Sequence, residues 1–100
     1  MIRYFQEHER QFAELLDGYS PDDLRELGIV EGGPAIWSSY PEAQAFITSY
    51  RRWMGGSWWK GYVYSEQPLT PLVDSIGEDA AGLVYRYLGN GWYLFYRNDR

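Results

Sequence analysis

Residues 83–100 read LVYRYLGNGWYLFYRNDR, and this stretch decides the fold because it contains the clearest hairpin signal in the chain. Two runs rich in aromatic and β-branched residues flank the central Gly89-Asn90-Gly91. Asn and Gly reach the positive φ angles of a tight turn at little steric cost. A two-residue turn at Asn90-Gly91 therefore predicts antiparallel strands at about 83–88 and 92–97.

The register of this hairpin decides which side chains share a face. The two-residue turn places Tyr85 opposite Tyr96 and Arg86 opposite Phe95. One face then carries no charge and is expected to meet the helices: Leu83, Tyr85, Tyr87, Trp92, Leu94 and Tyr96. The other face must be covered or bind something: Val84, Arg86, Leu88, Tyr93, Phe95 and Arg97. A three-residue loop would instead move Tyr85 and Tyr87 to the face of Tyr93 and Phe95.

Length and composition set limits on the class of protein. A chain of 100 residues predicts a single domain. The sequence has no cysteine, which excludes a disulfide framework, a thiolate metal site and a cysteine nucleophile. The first ten residues, MIRYFQEHER, lack the apolar core of a signal peptide, and no apolar run is long enough to cross a membrane. We therefore expect a cytoplasmic protein without a membrane segment.

The net charge of −5 is concentrated at one end of the chain. Residues 1–31 hold eight acidic side chains against three arginines, whereas six acids balance six bases from residue 32 onward. A protein that binds a phosphate backbone needs the opposite balance, so nucleic acid is an unlikely partner. Aromatic residues make up 19% of the chain, which suits a large core or a binding surface.

Three helices are predicted before the sheet, at about 3–17, 20–27 and 40–54. Apolar residues recur at helical spacing in the first, and Ser20-Pro21 begins the second with a cap and a fixed φ angle. The third follows an edge strand or connection around Ile36 and has an apolar stripe: Ala43, Phe46, Ile47, Tyr50, Trp53 and Met54. Gly28 predicts the end of the second helix, because glycine takes the left-handed position easily. The segment DDLRELGI at 22–29 resembles the helix ending of sterile-alpha-motif domains, but the strand-rich remainder departs from that all-helical fold and nothing is carried over from it.

The second half of the chain favours strands. Residues 58–64 have strand propensity, while Thr70-Pro71 predicts the start of a short helix or turn at 72–76. Helices followed by strands predict an α+β fold, with the helices packed on one face of a small antiparallel sheet.

The sequence offers little catalytic chemistry. His8 is the only histidine, and it lies on the apolar stripe of the first predicted helix. A general base would also need an orienting carboxylate and a nucleophile nearby. We therefore predict no catalytic residue, no metal and no cofactor.

The aromatic surplus instead indicates a binding surface. Adjacent Trp58 and Trp59 must point to opposite faces of a strand, so both are buried only where both faces are covered. The predicted surface around Trp58 contains Trp58, Lys60, Tyr62, Tyr64, Arg86, Tyr93, Phe95 and Arg97. Such residues anchor protein interfaces or stack on sugars and bases.

The leading interpretation is a small non-catalytic protein-binding module, acting as an adaptor, an inhibitor or an immunity-type partner. A small enzyme with a His8/Tyr pocket and a carbohydrate- or nucleobase-stacking module are the alternatives. The partner is another protein or a second copy, because strand 92–97 is a candidate sheet edge through which a homodimer could form.

Overall fold

The computed structural model describes residues 2–35, 37, 40, 42–73 and 82–99. Within them, three short helices precede a five-stranded antiparallel sheet. The elements are α1 (Ile2–Glu7), α2 (Glu9–Leu15), α3 (Pro21–Glu26), β1 (Glu31–Pro34), β2 (Gln44–Trp53), β3 (Gly56–Tyr64), β4 (Gly82–Gly89) and β5 (Trp92–Asp99). The spatial strand order is β1-β2-β3-β5-β4. The predicted α+β class is confirmed. The edge strand β1 ends at Pro34, and Ile36, around which an edge strand or connection was predicted, lies outside the described residues.

The first predicted helix is interrupted at His8. Residues 3–17 form α1 and α2, and His8 has a non-helical backbone with φ −123° between them. The His8 amide donates to the Phe5 carbonyl at 3.0 Å, which closes α1 with a tighter turn. The His8 carbonyl accepts from the Phe12 amide at 3.1 Å and so begins α2. The two helices therefore follow each other with only one residue between them.

The helix predicted at 20–27 is present as α3, and its ends follow the sequence signals. The Ser20 amide donates to Asp23 Oδ2 at 2.8 Å, and the Asp23 amide donates to Ser20 Oγ at 3.3 Å. This reciprocal capping box satisfies amides that the first turn leaves free. At the other end, Gly28 has φ +71° and the Ile29 amide donates to the Leu24 carbonyl at 2.9 Å. These features form the glycine-dependent ending that the sequence predicts.

The helix predicted at 40–54 is wrong, because residues 44–53 form β2. The strand pairs with β1 on one side and with β3 on the other. A β-bulge at Thr48 separates Ile47, which pairs with Gly61, from Ser49, which pairs with Lys60. Because the extra residue shifts the alternation, Ile47 and Tyr50 lie on the same face at a spacing of three. This bulge gives a strand the spacing that is typical of a helix.

The hairpin between β4 and β5 has the predicted turn but a different register. Asn90 and Gly91 have φ angles of 54° and 85°, as a two-residue turn requires. A second bulge, at Leu88, then shifts the pairing. The observed pairs are Tyr85 with Phe95, Arg86 with Leu94 and Tyr87 with Tyr93. The predicted pairs of Tyr85 with Tyr96 and Arg86 with Phe95 are therefore wrong, because Leu88 adds one residue that the two-residue turn alone does not reveal.

Both predicted hairpin faces change as a consequence. Tyr85 and Tyr87 share a face with Tyr93 and Phe95, whereas Leu94 and Trp92 share the other face with Arg86. We call the sheet side that carries α1, α2 and α3 the helix face, and the other side the opposite face. The helix-face core contains Phe5, Phe12, Leu15, Leu27, Ile29, Phe46, Tyr62, Trp92 and Leu94.

A second core lies on the opposite face. Its buried members are Ala35, Ala43, Ala45, Val63, Leu69, Tyr85, Tyr93 and Phe95. The Leu69 amide donates to the Tyr93 hydroxyl at 3.4 Å, which ties the segment after β3 to the sheet. The sheet is therefore packed on both sides, and the aromatic excess of the hairpin is used largely inside the protein.

The last strand is not a sheet edge. β5 lies between β3 and β4 and pairs with both, so the predicted homodimer contact through this strand is wrong. Residues 71–73 partly cover the outer edge of β4, where the Val73 amide donates to the Tyr85 carbonyl at 2.8 Å. Leu72 forms a parallel bridge with Tyr85 rather than the start of a helix, and residues 74–76 of that predicted element lie outside the described residues.

Burial of Tyr62 makes the folded protein less stable at alkaline pH. Burial, with a smaller effect of Tyr4, raises the pKa of Tyr62 from 10.0 to about 12. The neutral phenol is favoured in the folded state, so this contribution is complete below pH 10 and is lost as pH rises towards 12. Phenylalanine has no ionisable hydroxyl. We therefore expect the unfolding free energy of Tyr62→Phe to fall less than that of the wild type when the pH is raised, by up to about 2 kcal/mol. Urea unfolding at pH 8 and pH 11 measures this, and Tyr50→Phe, an exposed control, should retain the wild-type loss.

Candidate functional site

A groove of about 790 Å³ runs across the opposite face of the sheet. It extends from β1 over β2 and β3 to β5, and its volume is in the range of ordinary ligand sites. The side chains used below are Glu31, Trp37, Arg52, Trp59, Phe95 and Arg97. Strands supply all of them except Trp37, so a hydrogen-bonded sheet holds most of the groove in place.

Trp59 is the central aromatic side chain of the groove. It lies directly across the strand pair from Tyr50, with ring centroids 4.9 Å apart and ring planes inclined by only 18°. The Arg52 guanidinium carbon lies 5.2 Å from the centroid of the Trp59 ring, at cation–π distance. Trp59 is half-buried, whereas 52% of Tyr50 is exposed. The groove therefore offers an aromatic stack with a cation beside it.

Trp37 and Phe95 form the apolar floor. Their ring centroids are 5.2 Å apart, and Phe95 is buried. The Trp37 indole N–H is buried and has no acceptor in good geometry among the described residues. Burial raises the pKa of Tyr85, whereas the nearby Trp37 indole N–H and the Arg97 charge lower it. The floor thus places a polar group beneath an apolar surface.

The charged side chains around the groove are mainly basic. Arg52 and Arg97 line it together with Glu31. Arg52 forms no ion pair with any carboxylate that the structure describes. The ion pairs observed within the described ranges are local helix contacts such as Arg3 with Glu7 and Arg10 with Glu14. The groove is therefore locally positive, although the whole chain has a net charge of −5.

The structure divides the predicted binding residues between the two faces of the sheet. Trp58, Lys60, Tyr62, Tyr64 and Arg86 lie on the helix face, while Tyr93, Phe95 and Arg97 lie on the opposite face. They do not form one platform, for two reasons. The Leu88 bulge places Arg86 on the face opposite Tyr93, Phe95 and Arg97. The pairing of β3 with β5 likewise places Trp58, Lys60, Tyr62 and Tyr64 on the face opposite Tyr93 and Phe95. Only Phe95 and Arg97 line the groove.

Several of these side chains are already engaged within the protein. Tyr62 and Tyr93 are buried in the two cores. On the helix face, Trp58 stacks against Tyr96 with ring centroids 6.4 Å apart, and Lys60 Nζ lies 5.6 Å from the centroid of the Trp58 ring. Their part in binding stays a prediction.

Of the six groove side chains discussed above, four were absent from the predicted site: Glu31, Trp37, Arg52 and Trp59. Trp59 could have been found, because the strand at 58–64 places it on the face opposite Trp58. Arg52 could not be found while its segment was interpreted as a helix. Glu31 and Trp37 join the groove through packing that the sequence pattern does not encode locally.

His8 lies away from this groove and contacts Tyr4. Its Nδ1 is 2.8 Å from the Tyr4 carbonyl oxygen, and the two rings stack with centroids 4.1 Å apart. Within the described ranges, no three His, Cys, Asp or Glu side chains come together in a cluster that could hold a metal ion. We therefore take the groove, rather than His8, as the candidate functional site.

No family profile, curated protein or solved structure in the three comparisons matches this chain. Among the residues that the structure describes, no helix combines the length and apolar character needed to cross a membrane.

Proposed function

We propose that this protein is a small non-catalytic protein-binding module whose binding site is the groove on the opposite face. The observation that carries the proposal is the half-buried Trp59 at an open groove, where it stacks on exposed Tyr50 and lies at cation–π distance from Arg52. Trp, Tyr and Arg contribute most often to the energetic centres of protein interfaces. An adaptor, an inhibitor or an immunity-type partner would each use such a site.

The architecture of the groove supports a protein partner. The apolar floor of Trp37 and Phe95 can accept a side chain, and the arginines at its margin can contact polar groups around it. A central apolar region with a polar rim is the usual arrangement of a protein interface. Because strands hold most of the groove, this protein loses little backbone conformational entropy on binding. The proposal includes a cytoplasmic location, which a sequence without cysteine favours.

A carbohydrate- or nucleobase-stacking module is the second candidate, and the exposed ring of Tyr50 favours it. Tyr50 stacks on Trp59 with one ring face, so its other face is available to a flat ligand. Titration with a panel of glycans and single-stranded oligonucleotides distinguishes the two functions. A saturable change in tryptophan fluorescence that is lost in Tyr50→Ala would favour the second candidate.

The proposal predicts that Trp59 is required for peptide binding. A displayed library of random twelve-residue peptides, selected on the immobilised protein, should yield sequences that bind the wild type. We expect Trp59→Ala to weaken their binding by about thirtyfold, equivalent to about 2 kcal/mol at an interface centre. Fluorescence anisotropy with the selected peptides measures the dissociation constants.

The neighbouring tryptophan provides the matched control. Trp58→Ala removes the same side chain from the same strand, but on the helix face. If the groove, rather than the predicted surface around Trp58, is the binding site, the peptide affinity of this variant should stay within about threefold of the wild type. A library that yields no binder, or binders that are affected equally by both substitutions, would contradict the proposal. Thermal unfolding of both variants shows whether each is folded, and the exposed Arg52→Glu variant tests the same site without truncating an aromatic ring.

A further inference from the structure

We propose that the partner binds by strand addition: an extended acidic segment of another protein pairs with the outer edge of β2 at residues 49–53. This inference rests on the proposed function and specifies both its binding mode and the chemistry of its partner. The segment would lie in line with β1 and next to the groove. Its backbone would complete the sheet, and its acidic side chains would meet two arginines.

The first observation is an unpaired half of β2. β1 pairs with β2 only from Gln44 to Ile47, whereas β3 pairs with β2 as far as Trp53. No described segment pairs with the outer side of residues 49–53. In an antiparallel edge strand, every second residue directs its amide and carbonyl groups away from the sheet. These groups are available to a strand from another protein.

The second observation is the position of this edge relative to β1 and the groove. The bulge at Thr48 lies close to the point where β1 begins, and the Val30 amide donates to the Ile47 carbonyl at 2.8 Å. An added strand would therefore continue the edge position that β1 occupies farther along β2. Half of its side chains would lie on the opposite face beside Tyr50 and Arg52, which border the Trp59 stack.

The third observation is charge. Arg51 and Arg52 are both exposed, and they lie on different faces because they are consecutive in the strand. Neither forms an ion pair with a described carboxylate. An acidic strand would therefore meet one arginine on each face, and opposite charges on neighbouring strands stabilise their pairing.

The same arginines disfavour a second copy of this chain as the added strand. Antiparallel pairing of two identical edges centred at Arg51 would bring Arg51 and Arg52 of both copies close together. Like charges opposite each other on paired strands are destabilising. The edge therefore selects for an acidic sequence and against self-pairing, so we assign the occupant to another protein.

The test uses defined peptides with the full-length chain. The probe is a fluorescein-labelled ten-residue peptide in which glutamate alternates with valine, and its matched control has lysine in place of glutamate. At about 0.15 M ionic strength, where a Debye length of about 8 Å screens the net charge of −5 but not the adjacent arginines, we expect the glutamate peptide to bind at least about tenfold more tightly than the lysine peptide. All glutamates of this alternating peptide lie on one face of an added strand, so one of Arg51→Glu and Arg52→Glu, on the face that the glutamates share, should weaken its binding about tenfold, and the other should have a smaller effect. Arg10→Glu, the same charge change on α2, should have little effect.

Backbone methylation identifies the binding mode without altering the protein. One version of the glutamate peptide carries N-methyl groups on all valine amides, and another carries them on all glutamate amides. A strand added to one edge pairs through every second residue only. One version should therefore lose binding by more than about tenfold, while the other should bind as the parent does.

The outcomes separate this inference from the proposed function. Equal effects of the two methylated peptides, or equal affinity for glutamate and lysine peptides, would overturn strand addition by an acidic segment. Failure of the glutamate peptide to bind would also overturn it. In each case, library peptides that still depend on Trp59 would leave the protein-binding function intact. A library without Trp59-dependent binders would contradict the function itself.

Discussion

Gly61→Ala should destabilise the folded protein severely, with an expected loss of at least about 3 kcal/mol in unfolding free energy. A Cβ atom at Gly61 would collide with the Phe46 carbonyl oxygen and lie 2.9 Å from Ile47 Cα. Both are backbone atoms of β2, so no side-chain rotation can relieve the contact. Gly61 is the partner of Ile47 immediately before the Thr48 bulge. The bulge therefore depends on a residue without a side chain on the neighbouring strand.

Gly33→Ala is the matched control for this prediction. Gly33 also lies in a strand and pairs with β2, but a Cβ atom there would have no atom of any described residue, other than its chain neighbours, within 4 Å. We expect its unfolding free energy to stay within about 1 kcal/mol of the wild type. Urea unfolding followed by tryptophan fluorescence measures both variants. A loss at Gly61 no greater than the loss at Gly33 would contradict the close approach of β2 and β3.

The local parts of the fold could be predicted from sequence because local chemistry determines them. The turn at Asn90-Gly91 follows from the positive φ angles that these residues adopt easily. The start and end of α3 follow from Ser20 and Gly28 for a similar reason, since each signal acts within a few residues of itself. These elements required no knowledge of the remainder of the chain.

The two bulges account for what the sequence did not reveal. The bulge at Thr48 places Ile47 and Tyr50 on one face, so the apolar residues of β2 recur at the three-residue spacing that is typical of a helix. The bulge at Leu88 exchanges the faces of Tyr85 and Tyr87 relative to Phe95. Both bulges are positions where partner strands decide the register, so a single-strand pattern does not contain the information.

The groove illustrates the same limit for function. Trp59 and Phe95 belong to strands that the sequence predicts, yet the prediction grouped Phe95 with Trp58 rather than with Trp59, because the sequence does not reveal how β3 pairs with β5. Arg52 became part of the groove only when its segment proved to be a strand. Because the groove joins β1, β2, β3 and β5, it depends on long-range pairing that hydrophobic periodicity cannot supply.

Phe12→Ala should cost about 3 to 5 kcal/mol of unfolding free energy, a large part of the stability of a domain of this size. Phe12 is 0% exposed, and its ring centroid lies 4.6 Å from Tyr62 and 5.6 Å from Trp92. It also contacts Phe5 of α1, with centroids 5.1 Å apart. One side chain thus joins both short helices to β3 and β5. Truncation to alanine would leave a cavity at the centre of the helix-face core.

The helical signal should respond to this substitution together with stability. α1 and α2 contain six and seven residues, too few to be stable helices without packing against the sheet. We therefore expect Phe12→Ala to lower the far-UV circular dichroism near 222 nm as well as the urea midpoint. Leu16→Ala is the control, because Leu16 is the C-cap that follows α2 and is 38% exposed, and the substitution should cost less than about 1 kcal/mol. Similar losses in the two variants would mean that the helices are held mainly by contacts other than Phe12.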